Sequence, residues 1–504
     1  MPLVLGIDGG TEGVRAGLFD TVDGREVAYA SAAYGTVYPR PGWAEQAPAE
    51  WWAAAGVAVR TVLAGVDVNT VAAMAVDTTC CSVVALSADG EPLRPCLLWM
   101  DVRAAKEAAD ISVCGDCALA VNGGGAGPVS AEWLLCKALW LKRNEPETWA
   151  ATATLCEYQD FINLKLTGQR VASSCNAAVR WHWHEGVRPP LSLLTALGLE
   201  DLLPKLPAVA ISPGAMVGEL TPAAAAHLGL PAGLPVAQGG ADAFIGMLGL
   251  GVLAQGELAL LTGSSHLHLG VLTAPVHGKG CFGSYAGALG VGDVHVLEGG
   301  QTSTGSVVAW LRRMFSAPGQ PLVPYALLDM EAAAIPIGCD GLICQEHFQG
   351  NRTPHTDPSS RGVFAGLTLA HTRAHLFRAV MEGVAFGTRA VLEAMQARGF
   401  QPARIVIAGG AARSELWLRI TADVIGLPLH VTVCGEAPAL GCAILASVVG
   451  GAHASIADAA AAMVHSVRIV EPDRTSHAAY ASHYAAYSQL YHAMKQVPAA
   501  AATS

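Results

Sequence analysis

The sequence predicts an α/β protein of two domains, each opening with a strand, a glycine-hydroxyl turn and a second strand, with a ligand cleft between them. Three observations carry this. Asp8-Gly9-Gly10-Thr11-Glu12-Gly13 and Leu261-Thr262-Gly263-Ser264-Ser265 both close apolar runs and both lead into alternating segments, so one local grammar occurs twice. The 504 residues, 52% hydrophobic and 14% charged, supply enough apolar surface for two or more cores. A third stretch, Ala408-Gly409-Gly410-Ala411-Ala412-Arg413-Ser414, also ends an apolar run, and backbone N–H groups at such strand ends suit phosphate oxygens.

In chain order, Val14, Ala16 and Leu18 share one strand face and Arg15 and Gly17 the other. Asp23-Gly24 marks a hairpin before Glu26 to Tyr29, so three antiparallel strands begin the protein. The first glycine turn therefore lies between strands, which disfavours a dinucleotide fingerprint, where glycines lead from strand into helix. Ala49 to Leu63 has helical composition. Val71 to Val76 reads as a strand ending at Asp77, and Ser82 to Leu86 with Asp89-Gly90 as another hairpin. In the second half, Leu258 to Leu261 and Leu267 to Gly270 flank the Thr-Gly-Ser-Ser turn. Arg404 to Ala408 reads as a buried strand and Ser414 to Ile425 as a helix. The expected divisions are residues 1–254, 255–485 and a tail 486–504, disordered from Val497.

Composition excludes several classes. A formal charge of −11 with no basic stretch opposes a nucleic-acid or anionic-membrane surface. The uncharged run Ala437 to Ala457 is broken by Pro438, Gly441, Gly450, Gly451 and His453, and reads as buried helix plus loop, not as a membrane span. Met1 to Asp8 reaches a carboxylate without a basic segment, which predicts no export signal and a cytoplasmic location. The 13 cysteines lack regular spacing and read as reduced, packed thiols. Cys114 and Cys117 lack the second pair that a zinc site needs, and vicinal Cys80-Cys81 is awkward for a disulfide. His371 and His375, four apart on an expected helix, have no third ligand and read as a solvated helical face.

Between the glycine-rich stretches lies Gly239-Gly240-Ala241-Asp242. Asp242 has no Lys or Arg beside it and is a candidate general base, with a helix N-cap as the alternative.

On these residues the chain resembles the FGGY carbohydrate kinases over nearly its whole length. The most specific element is Gly362-Val363-Phe364-Ala365-Gly366-Leu367, followed after seven residues by His375-Leu376-Phe377-Arg378-Ala379-Val380-Met381-Glu382, which fits the longer of the family's signatures. The resemblance implies two actin-like (ribonuclease-H-like) domains holding ATP and a small sugar or polyol in the cleft between them. Gly263 to His268, Glu298 to Gly305, and Gly350-Asn351-Arg352-Thr353-Pro354 are similar to segments of the ribulokinase-like branch. Gly42 to Gln46 and Leu98 to Asp101 look like segments shared by xylulose and ribulose enzymes. A pentulose is implied, with ribulose preferred and xylulose or another ketose or polyol as the alternative. Ser264 replaces the usual Thr but keeps a hydroxyl. Val102 stands where relatives often have His, which removes a partner for a sugar hydroxyl and bears on selectivity.

The resemblance implies roles for individual residues. Asp242 would take the proton of the attacking hydroxyl, and Asp8 would hold Mg²⁺, a turn cap being the alternative. Arg15 would touch phosphate or pair with a carboxylate. Cys80, Trp99, Arg180, Asp242 and Glu298 would contact the sugar, although Trp99 also fits a core aromatic and Arg180 a surface charge. Gly10, Thr11, Thr262, Gly263, Ser264 and Gly305 would meet phosphate, and Gly409, Gly410, Ala411 and Ser414 the nucleoside, with Ser414 also an N-cap. The partners implied are sugar and ATP, with room for a homodimer. A kinase-like sugar sensor and an actin-like ATPase remain as other classes. Asp242 speaks against the first, and a pocket around Trp99, Arg180 and Glu298 would speak against the second.

Overall fold

The computed structural model describes residues 2–121, 129–181, 189–278, 280–317, 319–433 and 435–497. Its first sheet contains β1 (Leu3–Gly9), β2 (Gly13–Asp20), β3 (Glu26–Ala33), β4 (Val71–Thr78), β5 (Met216–Glu219) and β6 (Pro235–Ala241) in the order β5-β6-β4-β1-β2-β3. β1, β2 and β3 form an antiparallel meander, whereas β4 runs parallel to β1 and β6 parallel to β4. The carboxyl ends of β1, β4 and β6 therefore lie side by side, Thr78 pairing with Gly9 on one flank and with Ala241 on the other.

The second sheet repeats the plan. β7 (Glu257–Thr262), β8 (His266–Leu272), β9 (Gly283–Ala286), β10 (His295–Gln301), β11 (Arg404–Gly409), β12 (Leu429–Thr432) and β13 (Ser466–Val470) take the order β9-β10-β8-β7-β11-β12-β13. Again three antiparallel strands lie beside two parallel ones: β7 pairs antiparallel with β8 and β8 with β10, while β11 runs parallel to β7 and β12 to β11. The duplication expected from the two glycine turns is thus a duplication of sheet topology, the pairing of two actin-like domains.

Helices cover the sheets. α1 (Pro48–Val62) starts on a proline, whose missing N–H costs nothing at a helix start, and packs Trp51, Ala55 and Val59 against Leu5, Ile7, Val14 and Ala16. α2 (Asp242–Gly249) follows β6 directly. α3 (Gly305–Met314), α4 (Arg373–Gln396), α5 (Glu415–Ile425), α6 (Ala437–Val449) and α7 (Arg474–Met494) belong to the second half of the chain.

α6 departs from the simple division at residue 254. It packs on α2 and on β1, β4 and β6 of the first sheet, although it follows β12 of the second. Its uncharged sequence explains this, because a helix apolar all round needs cover on both sides. The core around it joins Val4, Ala73 and Ala237 of the first sheet to Ala259, Val271 and Val406 of the second. Glycines permit the approach: a Cβ on Gly6 would stand 2.0 Å from the Ala439 carbonyl oxygen, and one on Gly441 2.0 Å from that of Ile245. The expected buried helix plus loop is therefore found. No helix among the described residues is long and apolar enough to cross a membrane.

Three further expectations change. The tail expected from residue 486 begins inside α7, which is anchored by the buried Tyr480 and Tyr487, the latter donating to Glu346 Oε2 at 2.7 Å. His371 precedes α4 and does not share a helical face with His375; Thr372 and His375 form the reciprocal cap that starts this helix. The hairpin expected at Asp89-Gly90 is present in short form, Leu86 bridging Pro92 and Ser87 N–H donating to Glu91 O at 2.9 Å, but the strand Val83–Leu86 takes its long partner from Thr154–Glu157, distant in sequence.

Gly6→Ala should lower stability in urea by about 3 kcal/mol, because the added methyl meets backbone and cannot be accommodated by a rotamer change. Gly35→Ala, where nothing lies within 4 Å of the new atom, should stay within about 0.5 kcal/mol of the parent.

Candidate functional site

The first glycine turn is closed by Gly10 N–H donating to Gly13 O at 3.0 Å. Its outer side is buttressed. Gln46 donates to Thr11 O at 2.8 Å, Trp99 Nε1 donates to Thr11 Oγ1 at 2.9 Å, and Tyr34 OH donates to Gly10 O. Trp99 is 37% exposed, so it is not the core aromatic of the alternative reading; its indole stands over the turn as a wall. Val102 lies beyond it against Gly42, its N–H donating to Gly42 O at 2.9 Å.

Behind the turn, the alternation of β2 places Arg15 opposite Asp8, and Nη1 meets Asp8 Oδ2 at 2.5 Å. Arg15 thus pairs with a carboxylate, the second of its two expected roles. On the other flank Asp8 stands opposite Asp77 of β4. One residue beyond β6, Asp242 is the first residue of α2, and its Oδ1 accepts from Ala243 N at 2.7 Å. Three carboxylates therefore end neighbouring parallel strands, the edge at which α/β sheets bind ligands.

Their electrostatics follow from burial. Burial raises Asp242 to about 7, the charge of Asp8 adding to this and Arg15 opposing it. Burial also raises Asp8, against Arg15, and holds Asp77 well above the usual carboxylate range, helped by the charges of Asp8 and Asp242. Asp8 Oδ1 and Asp77 Oδ1 are buried without a hydrogen-bond donor outside the pair. Three carboxyl groups face the Arg15 guanidinium, Asp8 and Asp77 lie within hydrogen-bond range of each other, and their oxygens are hard donors. This set fits a divalent cation such as Mg²⁺.

The second turn is held from below. Gly263 N–H donates to Ser265 O at 2.9 Å, and Thr304 and Ser306 N–H donate to Ser264 O at 2.9 and 3.1 Å. Gly305 has to be glycine here, since a Cβ would stand 2.4 Å from Gly263 O. Thr262 Oγ1 donates to Ala408 O at 2.6 Å and accepts from Ala411 N at 3.1 Å, so this hydroxyl knots the turn to the third glycine stretch and is spent there. Gly409, at φ +97, brings the chain so close that a Cβ would lie 2.1 Å from Thr262 O, and Gly410 N donates to the same oxygen at 2.7 Å. Ser414 caps α5, its Oγ accepting from Trp417 N at 3.1 Å. The expected nucleotide residues Thr262, Gly263, Ser264, Gly305, Gly409, Gly410 and Ala411 are thus brought together.

The loops that carry Cys80 and Trp99 and the helix that ends at Arg180 are tied together by contacts that sequence reasoning did not find. Lys137, fully buried, donates to the carbonyls of Cys81 at 2.6 Å and Leu98 at 2.5 Å, tying the Cys80 loop to the Trp99 loop. Glu157 accepts from Cys81 N, Asn176 Nδ2 and Trp181 Nε1, which fixes the helix Ser174–Arg180 against the same loop. The Arg180 side chain lies outside the described residues. Glu298 is 2% exposed, accepts from Tyr285 OH at 2.8 Å and pairs with Arg352 at 3.4 Å. Cys80 Sγ lies 3.6 Å from Cys81 Sγ, and neither cysteine is in a disulfide. Together with Glu157 they form a cluster of potential cation ligands, but that carboxylate is occupied by its three donors. Asp77, Lys137 and Glu157 are site neighbours that the sequence reading did not single out. Only Asp77, the polar end of an apolar strand, left a signal in the sequence.

Comparison with known proteins places these features in a family. Residues 3–249 match the N-terminal domain, and residues 258–449 the C-terminal domain, of the FGGY family of carbohydrate kinases. The chain is 31% identical to an FGGY carbohydrate kinase domain-containing protein of Xenopus laevis, over 98% of this chain and 97% of the other. It is 30% identical to a ribulokinase of Shouchella clausii, over 97% and 94%. The crystal structure of xylulose kinase from Rhodospirillum rubrum superposes with a TM-score of 0.86 at 29% identity, covering 98% of this chain and 99% of that one.

A carboxyl group raised by folding contributes stability below its unfolded value and loses it as pH climbs to the folded value. For Asp242 that window runs from 3.8 to about 7. Asp242→Asn should therefore match the parent in thermal unfolding near pH 4 and exceed it near pH 8. Equal midpoints at both pH values would contradict the half-buried, charge-crowded setting of this carboxylate.

Proposed function

Because the chain belongs to the FGGY family of carbohydrate kinases, and so is a phosphotransferase with an alcohol acceptor, we propose that it transfers the γ-phosphate of ATP to the terminal hydroxyl of a pentulose, ribulose before others. The observation that carries this reading is Asp242. It stands at the carboxyl edge of the first sheet with a proton affinity tuned to neutral pH, beside the turn walled by Trp99.

A sugar hydroxyl is a weak nucleophile. Asp242, hydrogen-bonded to it, would accept its proton as the new bond to phosphorus forms, and a carboxylate with its pKa near 7 is well matched to that task. Phosphoryl transfer spreads charge over the equatorial phosphate oxygens, so positioned donors do much of the remaining work. The backbone N–H groups of Gly10 to Thr11 and of Gly263 to Ser264 are the donors proposed, with Gly409 to Ala411 letting adenosine approach the backbone. Asp8 would hold Mg²⁺, which when bound supplies positive charge to the phosphate oxygens. Trp99, Cys80 and Arg180, on segments held by Lys137 and Glu157, would border the sugar together with Glu298, which Tyr285 and Arg352 hold.

The preference for ribulose is supported by the segments Gly263 to His268, Glu298 to Gly305 and Gly350 to Pro354, and by the likeness to a ribulokinase. The likeness in structure to a xylulose kinase favours xylulose as the second reading. A coupled assay of ATP consumption over pentuloses, hexuloses and polyols decides between them, and the highest kcat/KM is expected with ribulose. ATP hydrolysis at the same rate without any sugar would point to an ATPase instead.

Two expectations concern the base. Asp242→Asn should lower kcat at least about a hundredfold with little change in sugar KM. For the parent enzyme, kcat/KM should rise about tenfold per pH unit below about 7 and level off above it, because only the ionised carboxylate can take the proton. Near-parental phosphorylation by the variant would remove Asp242 from this role.

A further inference from the structure

Asp77 has no part in the scheme above, yet it is the least exposed of the three carboxylates, at 0%. We propose that Asp77 is a second carboxylate of the metal site and holds the divalent cation jointly with Asp8. This deepens the reading of the site as one that works on a metal-complexed phosphate donor and rests on it.

Three observations carry the inference. Asp77 and Asp8 are direct register partners on parallel strands β4 and β1, so their side chains leave the same sheet face within reach of each other. Oδ1 of each is buried and lacks a donor outside the pair, the two carboxyl groups lying within hydrogen-bond range of each other, and the contact recorded for Asp77 Oδ2 is a weak one, the thiol of Cys442 on α6 at 3.3 Å. A buried carboxyl group left this way either keeps its proton or is met by a positive charge. The local charge is also incomplete. Asp8, Asp77 and Asp242 stand against Arg15, which is already engaged with Asp8 Oδ2. The three carboxyl groups can carry more negative charge than the one guanidinium offsets, which leaves room for a cation beside them.

The ligand chemistry agrees. Magnesium and manganese take oxygen donors and are commonly held by one or two carboxylates, with waters and substrate phosphates completing the shell. Asp8 and Asp77 supply two carboxylates at the base of the first glycine turn. The neighbouring thiol is a poor ligand for such a hard ion.

The test uses the full-length protein without sugar or nucleotide, and Mn²⁺ as the probe. Free Mn²⁺ is titrated by electron paramagnetic resonance, and thermal unfolding is followed with and without the ion. The near-isosteric Asp77→Asn should bind Mn²⁺ about tenfold more weakly or worse. It should also lose the rise in unfolding temperature that Mn²⁺ gives the parent. Binding within about twofold of the parent would overturn the proposal, and so would a parent that binds no Mn²⁺. Should Asp77→Asn fail to fold, Mn²⁺-soaked crystals of the parent give the answer through anomalous scattering. A peak about 2.1 Å from both an Asp8 and an Asp77 oxygen supports joint ligation, and a peak ligated by Asp8 alone overturns it. These readouts need no turnover, so their failure is distinct from a failure of the sugar-kinase reading, which the substrate screen and Asp242→Asn decide.

Discussion

Carboxylates in a protein interior repel one another and resist losing their water, and this chain gathers three of them at the ends of neighbouring parallel strands. Asp8, Asp77 and Asp242 share that edge with Arg15, whose guanidinium is tied to Asp8. The rest of the first domain is arranged around this crowding. The meander delivers Asp8 and Arg15 to facing positions, the parallel strands deliver Asp77 and Asp242, and α2 begins so abruptly after β6 that its first residue is the candidate base. The strain is useful because a carboxylate pushed to about 7 can exchange a proton at neutral pH, which an ordinary surface aspartate does poorly.

A second constraint is the close approach of backbone to backbone. Glycines at 6, 249 and 441 let α6 lie against β1 and α2 with carbonyl oxygens where side chains would otherwise start. This gives the two sheets a common apolar core through a helix from the second half of the sequence. The same device operates at the glycine turns. Gly305 fits beneath Gly263, and Gly409 fits against Thr262, so three distant segments meet in one small volume. Rigid glycine contacts of this kind position backbone N–H groups without the reorganisation that flexible side chains would need.

Local patterns were legible where chemistry is local. The hairpin around Gly9 to Gly13, its repeat around Thr262 to Ser265, the cap at Ser414 and the start of a helix near Asp242 all follow from short-range turn and capping rules, and the structure has each of them. What depends on partners far away in sequence was not legible. Lys137 reads as an ordinary helical lysine until the folded chain surrounds it with carbonyls from residues 81 and 98. Glu157 gains its meaning only from Cys81, Asn176 and Trp181. Thr262 was expected to face a ligand, but the third glycine stretch captures its hydroxyl. His371 and His375 kept the right spacing for a helix, yet the capping interaction placed the helix start between them. Asp77 was visible as a strand end, and only its neighbours give it a charge to share.

The most direct test of the account is a crystal structure of the protein with ribulose and a non-hydrolysable ATP analogue. The account predicts the terminal sugar hydroxyl within about 2.6–3.2 Å of an Asp242 oxygen, aligned with the terminal phosphorus, with Trp99 beside the sugar. A sugar whose terminal hydroxyl is held by another group, with Asp242 turned away from it, would contradict the central claim.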